Sequence, residues 1–526
     1  MLPLIHRFID QAADQNPHHP AFIFQERSLS YGDLVLQANR LANVLIDLGV
    51  RPLDRVGIYL TKSMEIPVAI YGILKAGAAY VPIDPSAPLD RVDYMIRDCG
   101  ITHLVSSPVR KRALHQLLER DTGLKAIVGV DRELLETDPL TCLSWEEVLQ
   151  ADSEDPPVKV TDQDLAYIMY TSGSTGHPKG MMHTHASGAS YAHYSAMTYG
   201  VGPADRLGNH SHLHFDMSTF EFLTGPSRGA TTIIIPNEAM LFPTRLADLV
   251  QNEKLTFWYS VPLALIQMLA LEDIGNRDWS SLRWILFGGE PFPPKYLRLL
   301  MDMLPGARFS NVYGPAEVNQ CTYFHVTRES VQGDQPVPLG RVWEGAESRI
   351  LNGEGQPVRP GEPGELLIRS STMMQGYWGK PDLTEKSIHI EEPLPGFTKR
   401  FYRTGDLVSI DEKGLLAFHG RKDRQVKIRG YRIELDELEN IASAFDEVQE
   451  AAVVVAEQAG GDKELVAVLL LKEGRNLDSA EARKRFADHL SAYAVPKRIY
   501  FPATLPRTSS GKIDRRQLAQ EYAETA

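Results

Sequence analysis

Residues 165–180 read LAYIMYTSGSTGHPKG, and the change of character within this stretch governs how the whole chain reads. Leu165 to Tyr170 is an apolar, strand-like run. Four hydroxyl residues and two glycines follow between Thr171 and Gly176, then Pro178 and Lys179. Small residues let successive backbone N–H groups curl towards an oxyanion, hydroxyls add donors, and a lysine adds a point charge. Thr171, Ser172, Gly173, Ser174, Thr175, Gly176 and Lys179 therefore describe a phosphate cradle. The spacing differs from the G-x-x-x-x-G-K-[ST] of the Walker loop. By composition alone, the same run also reads as a solvated linker.

Outward from this loop, strand and helix patterns alternate. Upstream, the pattern predicts an amphipathic helix over Asp33–Leu48, strands over Arg55–Leu60 and Ala79–Ile83 around an apolar helix Ser63–Ala76, and further strands over Ile101–Ser106 and Leu124–Val130. Downstream come strands over Thr231–Pro236, Thr256–Val261 and Arg283–Phe287. Such alternation predicts an α/β fold of parallel, helix-covered sheets. From about Ile350, Gly and Pro become frequent and short β-like runs (Glu365–Ile368, Leu415–Phe418) point to a smaller, more antiparallel unit. After Gly420 follow a charged segment, RKDRQVKIRGYRIEL, and about a hundred residues of α+β pattern, enough for a separate C-terminal domain.

Composition bounds the function. With 526 residues, 43% hydrophobic and 23% charged, the chain is a folded, enzyme-sized protein rather than a disordered or fibrous one. The formal net charge of −13 disfavours nucleic acid as a partner. Cys99, Cys142 and Cys321 form no C-x-x-C pair, as expected of free thiols in a reducing compartment. The start, MLPLIHRFIDQAADQ, lacks the basic, apolar pattern of an export signal, and no apolar run reaches the ~20 residues of a membrane span, so a cytoplasmic, membrane-free protein is expected.

The run YTSGSTGHPKG resembles the phosphate loop of the adenylate-forming superfamily, which includes acyl-CoA synthetases, firefly luciferase and nonribosomal peptide synthetase adenylation domains. Further motifs follow in the family's order: NVYGPAE (Asn311–Glu317), GELL (Gly364–Leu367), QGYW (Gln375–Trp378), YRTGDL (Tyr402–Leu407), GRKDRQVKIRGYRIEL (Gly420–Leu435) and LPRTSSGK (Leu505–Lys512). The resemblance implies a large N-terminal domain over residues 1–420, with a β-rich part at about 340–420, and a mobile α+β lid over 421–526 hinged at Asp423. It implies ATP and Mg²⁺, with Asp406 on the ribose hydroxyls, Tyr313 on adenine, Arg421 on the ribose side and Glu317 on the metal, a hard cation suited to carboxylate oxygen. Asp406, after Thr404 and Gly405, reads as a turn residue. Lys512 would bridge the substrate carboxylate and the α-phosphate during adenylation, and Lys427 would serve the second half-reaction, attack of a thiol on the acyl adenylate.

The segment HLHFDMSTFE (His212–Glu221) separates acid classes. In peptide-synthetase relatives the Asp of FD-x-S pairs with the α-ammonium of an amino acid, and Asp216 holds that position. The family's pocket positions fall on Asp216, Met217, Phe220, Leu263, Leu286, Gly288, Val312, Gln320 and Cys321. No further charge lines this set, so an uncharged amino acid is expected. The run NVYGPAEVNQCTYF is similar to that of free-standing prolyl-AMP ligases, which puts L-proline first, with alanine or a β-amino acid as alternatives. His210, His212 and His214, and likewise His183 and His185, have the period-two spacing of one strand face, where a zinc site is conceivable but incomplete. The sequence ends at residue 526, fourteen after Lys512, and nothing in it resembles a carrier domain. The expected thiol is therefore the phosphopantetheine of a separate peptidyl or acyl carrier protein, with the enzyme a monomer. The competing readings are a CoA ligase of a small acid and a non-catalytic adenylate-binding protein.

Overall fold

A computed structural model describes residues 3–135, 140–173, 177–457, 463–508 and 513–523. Contacts divide the chain into two units: Met1–Pro85, Ile96–Met169 and Gly180–Lys422 in the first, and Ser86–Met95, Tyr170–Lys179 and Asp423–Ala526 in the second. The fold is the expected mixed α/β one. Among the described residues, no helix is long and apolar enough to cross a membrane.

Two large sheets dominate the first unit. One has nine strands, running from Arg341–Val342 through Thr322–His325, Arg308–Tyr313, Trp284–Gly288, Phe257–Ser260, Arg206–Asn209, Thr231–Ile234 and Pro20–Phe24 to Arg27–Ser30. Its middle is parallel and its edges antiparallel. The other has eight strands and includes Arg55–Ile58, Ala79–Pro82 and Leu165–Thr171. Between Arg55–Ile58 and Ala79–Pro82 lies the helix Glu65–Lys75, in which every residue from Ile66 to Lys75 is buried. A helix apolar on all sides must be enclosed on all sides, and its one buried cation, Lys75, is held 2.8 Å from Asp10 and 2.9 Å from Asp155. The helix Tyr31–Asp47 starts two residues before the expected Asp33, because Ser30 caps it by accepting the N–H of Asp33.

The expected antiparallel part is a five-stranded sheet of Glu347–Leu351, Gly364–Arg369, Phe397–Ile410, Ile388–Leu394 and Leu416–Arg421. In the second unit, Val448–Glu457 pairs antiparallel with Lys463–Leu471, which pairs parallel with Arg498–Tyr500. The helices Leu435–Ser443 and Ser479–His489 cover a core that includes Leu438, Val453, Leu465 and Phe486. A hairpin, Gln425–Ile428 with Tyr431–Glu434, turns through Arg429 and Gly430, both at positive φ, as a two-residue primed turn requires.

The structure corrects two local expectations. Asp406 is not on a turn but inside the 14-residue strand Phe397–Ile410, where the register against Gly364–Arg369 slips and Gly405 takes φ +71°. The histidines do not share strand faces either. The strand Arg206–Asn209 ends before His210, and His183 lies on a strand while His185 begins the next helix. Spacing alone misled here because the strand stops where the period-two pattern starts.

Candidate active site

The bulge in Phe397–Ile410 aims a carboxylate rather than passing it along the pleat. Asp406 is 5% exposed and stands opposite Arg421 across the ladder. Arg421 Nη1 donates to Asp406 Oδ1 at 2.6 Å, and the Tyr313 hydroxyl donates to Oδ2 at 2.5 Å. Thr404 Oγ1 accepts the Asp406 N–H and donates to the Leu366 carbonyl, so the bulge is pinned from both sides. Burial, then the charge of Asp406, push the Tyr313 phenol well above its usual range, which keeps it a donor. A carboxylate has about four lone-pair sites, so with one donor on each oxygen Asp406 retains capacity for two more hydroxyls.

The loop after the Tyr313 strand carries Glu317, which is wholly buried. Tyr377 donates to Glu317 Oε1 at 2.7 Å, and the Glu317 carbonyl accepts the N–H of Met374. His183 Nε2 lies 3.1 Å from the Ala316 carbonyl, and burial lowers this histidine to about 4, so it packs as a neutral ring. Among the described residues, no group of three or more His, Cys, Asp and Glu side chains is placed to hold a metal ion.

Asp216 opens the single 3₁₀ turn Asp216–Ser218, and a π-helical turn, Phe220–Thr224, follows at once. Its Oδ1 accepts the N–H of Met217 at 3.0 Å. The Tyr191 and Tyr259 hydroxyls are raised chiefly by burial, with the charges of both Glu221 and Asp216 adding to it. One core cluster unites Met217, Phe220, Leu286 and Val312 with Tyr191, Tyr199, Tyr259 and Trp343. Gln320 joins it by donating to the Tyr199 hydroxyl at 2.8 Å. Gly288 is opposite Val312 in the ladder, and an added Cβ there would fall 2.4 Å from the Val312 carbonyl oxygen. Cys321 is buried in the neighbouring cluster with Tyr313, and Leu263 is half-buried at the start of the helix Pro262–Leu269, outside both. Sequence reasoning missed Tyr191, Tyr259 and Trp343. Tyr191 and Tyr259 lie far from any motif, and Trp343 reaches the cluster through its backbone bond to Cys321.

In the second unit, Ser172 Oγ donates to the Arg432 carbonyl at 3.0 Å, Tyr94 stacks on His177 at 4.8 Å, and Arg91 pairs with Glu437 at 3.1 Å. Thr171 ends its strand, Gly173 is buried and Lys179 is half-buried. Lys427 is half-buried in the hairpin opposite Arg432, and exposed Asp423 accepts the N–H of Gln425 at 3.2 Å. Ser174, Thr175, Gly176 and Lys512 lie outside the described residues.

A buried carboxylate gripped by a guanidinium and a phenol can accept further hydroxyl donors, as a vicinal diol would supply. Residues 9–378 match the family model of AMP-binding enzymes and residues 437–512 that of the AMP-binding enzyme C-terminal domain; the chain belongs to this adenylate-forming family. It is 34% identical over 526 residues to an L-proline–[L-prolyl-carrier protein] ligase of Streptomyces coelicolor, covering 98% of this chain and 96% of that one. It is 36% identical over 514 residues to one of the linear gramicidin synthase polypeptides of Brevibacillus parabrevis, covering 98% of this chain and 10% of that synthase, so it spans about a tenth of that relative. The adenylation domain AlmE of Vibrio cholerae, solved with glycyl-adenosine-5'-phosphate, shares the fold at a TM-score of 0.86 and 24% identity, covering 100% of this chain and 99% of that one.

Proposed function

We propose that this enzyme activates an uncharged amino acid, L-proline first among candidates, with ATP and passes it to the phosphopantetheine thiol of a separate carrier protein. The observation that carries the reading is Asp216, which directly precedes Met217 of the aromatic cluster and whose charge, like that of Glu221, acts on Tyr191. It supports pairing with an α-ammonium, while the ring or alkyl part of the substrate meets Phe220, Leu286 and Val312. The full-length likeness to the L-proline ligase supports both proline and the carrier thiol.

In the first half-reaction, a carboxylate oxygen of the amino acid attacks the α-phosphorus of ATP, the bond to the β-phosphate oxygen breaks, and pyrophosphate leaves. Asp406 and Arg421 orient the ribose, Tyr313 lies under adenine, Thr171–Gly176 and Lys179 neutralise phosphate oxygens, and Lys512 neutralises the oxygens that gain charge. Glu317 would offer a hard oxygen donor to Mg²⁺, which when bound would supply further charge neutralisation on the phosphates. In the second half-reaction, the carrier thiol loses its proton and attacks the mixed-anhydride carbonyl, and AMP leaves, with Lys427 serving this step after a rearrangement about Asp423.

The test is amino-acid-dependent exchange of labelled pyrophosphate into ATP, screened over the standard and several β-amino acids, followed by loading of a phosphopantetheinylated carrier. Exchange that peaks with proline supports the reading in full. A peak with another uncharged amino acid corrects the substrate, whereas no exchange with any amino acid overturns the function. Transfer to CoA but not to a carrier overturns the acceptor.

A further inference from the structure

Lys62 lies between the strand Arg55–Ile58 of the eight-stranded sheet and the helix Glu65–Lys75, and it belongs to no motif used above. Its ammonium is buried, and it reaches the other large sheet. Nζ donates to the carbonyls of Asn209 at 2.6 Å and His210 at 2.8 Å, 147 and 148 residues away in the chain. Asn209 is the last residue of its parallel strand, so these are the carbonyls at which the chain leaves the ladder for the segment that carries Asp216.

The far end of that segment is tied to the same point. Asn209 Nδ2 donates to the Ser211 carbonyl at 3.1 Å and to Glu221 Oε2 at 3.2 Å, so one side chain joins the segment's exit to its return. Glu221 is held in turn by Thr232, which donates to its carbonyl at 2.9 Å. Between the ties, His214 Nε2 lies 3.9 Å from Asp84, which follows the neighbouring strand Ala79–Pro82, and Asn319 donates to Thr219, which donates to the Asp216 carbonyl at 2.6 Å. A buried ammonium is costly to place, and two backbone carbonyls are a small return for stability alone. Burial lowers Lys62 to about 7 and raises Glu221 to about 8, each partly offset by the other, as expected of a pair kept from water. A π-helical turn directly after Asp216–Ser218 is also a local departure of the kind found at functional sites.

We propose that Lys62, acting through Asn209 and Glu221, is a positioning residue that fixes Asp216 for the substrate ammonium. The inference rests on the amino acid reading of Asp216. A carboxylate that must meet an ammonium at hydrogen-bond distance tolerates little displacement, and an error of about 1 Å can cost roughly a hundred-fold.

The experiment measures KM for the amino acid and for ATP separately in pyrophosphate exchange, with thermal unfolding alongside. Lys62→Met is expected to raise the amino acid KM by roughly ten-fold or more and to leave the ATP KM within about two-fold, because Asp406 and Arg421 stand on another sheet. Lys62→Arg, which keeps the charge and can reach the same carbonyls, is expected to recover most of the loss. Asn209→Ala removes the side-chain tie to Ser211 and Glu221 while leaving the Lys62 bonds to the two backbone carbonyls in place, and must show the same split. Equal rises in both KM values, or an amino acid KM unchanged in Asn209→Ala, would overturn the proposal even if Lys62→Met fails to fold. Absence of exchange in the unsubstituted enzyme would remove the amino acid reading and this inference together, an outcome distinct from normal exchange with insensitive variants.

Discussion

Asp406 and Asp216, the carboxylates proposed for the nucleotide and amino acid ends of the reaction, stand in contrasting surroundings. Asp406 is built into a long antiparallel strand, with a guanidinium on one oxygen and a phenol on the other. Asp216 sits on a single 3₁₀ turn in an irregular segment, directly before Met217 of the aromatic cluster. The first setting is stiff and specified by charge, as suits a ligand that never varies. In the second, Asp216 is held by a local backbone bond to Met217, whose side chain packs in the aromatic cluster; under the proposed function, changes in that cluster would alter substrate choice without touching Asp406. Two buried polar atoms in that wall, Gln320 Oε1 and Trp343 Nε1, have no hydrogen-bond partner among the described residues, whereas the Asp406 oxygens are both engaged.

The contrast can be broken most sharply at Asp216. Asp216→Ala strands the ammonium without its counter-ion, and kcat/KM for the amino acid is expected to fall by about 2–5 kcal/mol while the ATP KM holds. Retention of full amino acid efficiency would end the distinction. Asp406→Asn removes the charge that Arg421 answers, and loss of charge-assisted bonds worth about 1.5–3 kcal/mol should raise the ATP KM by roughly ten- to a hundred-fold, with the amino acid KM little moved. A larger effect on the amino acid would mean that the two ends are not separate.

Gly288→Ala probes the wall itself. The added methyl meets a backbone carbonyl rather than a flexible side chain, so denaturant unfolding should show about 1–3 kcal/mol of overpacking cost, and bulkier substrates should lose activity before smaller ones. Unchanged stability and selectivity would show that the ladder yields there.

The last test concerns pH. Burial is the leading cause that lowers His6 to about 3 and His183 and His185 to about 4. Below the usual value of 6.5 the unfolded chain takes up protons that the folded chain refuses, so stability falls with pH from 6.5 towards 4, by at most about 1.4 kcal/mol per histidine per pH unit. The melting temperature should already drop between pH 6.5 and 5.5, above the range of ordinary exposed carboxylates, and a flat profile over that interval would contradict these burials.

Much of this was legible in the sequence because the strand and helix patterns are local, and because Thr171–Lys179, Asn311–Glu317 and Tyr402–Leu407 are contiguous words. The pocket positions Met217, Phe220, Leu286 and Val312 do gather in one cluster. What stayed hidden depends on long-range contact or on where a strand stops. Nothing near Lys62 announces carbonyls 147 residues away. The histidine alternation after Asn209 imitates a strand that the backbone has already left, and the slip at Gly405, which turns Asp406 out of the pleat, depends on the register of a partner strand.

One consequence of that partner strand is mechanical. The N–H of Lys422 still bonds the Gly405 carbonyl at 2.8 Å, beside Asp406, and the next ladder begins at Gln425, paired with Glu434. With the Lys422 N–H on the Gly405 carbonyl and Asp406 paired with Arg421 in the same ladder, the backbone that holds the carboxylate cannot shift without breaking main-chain bonds.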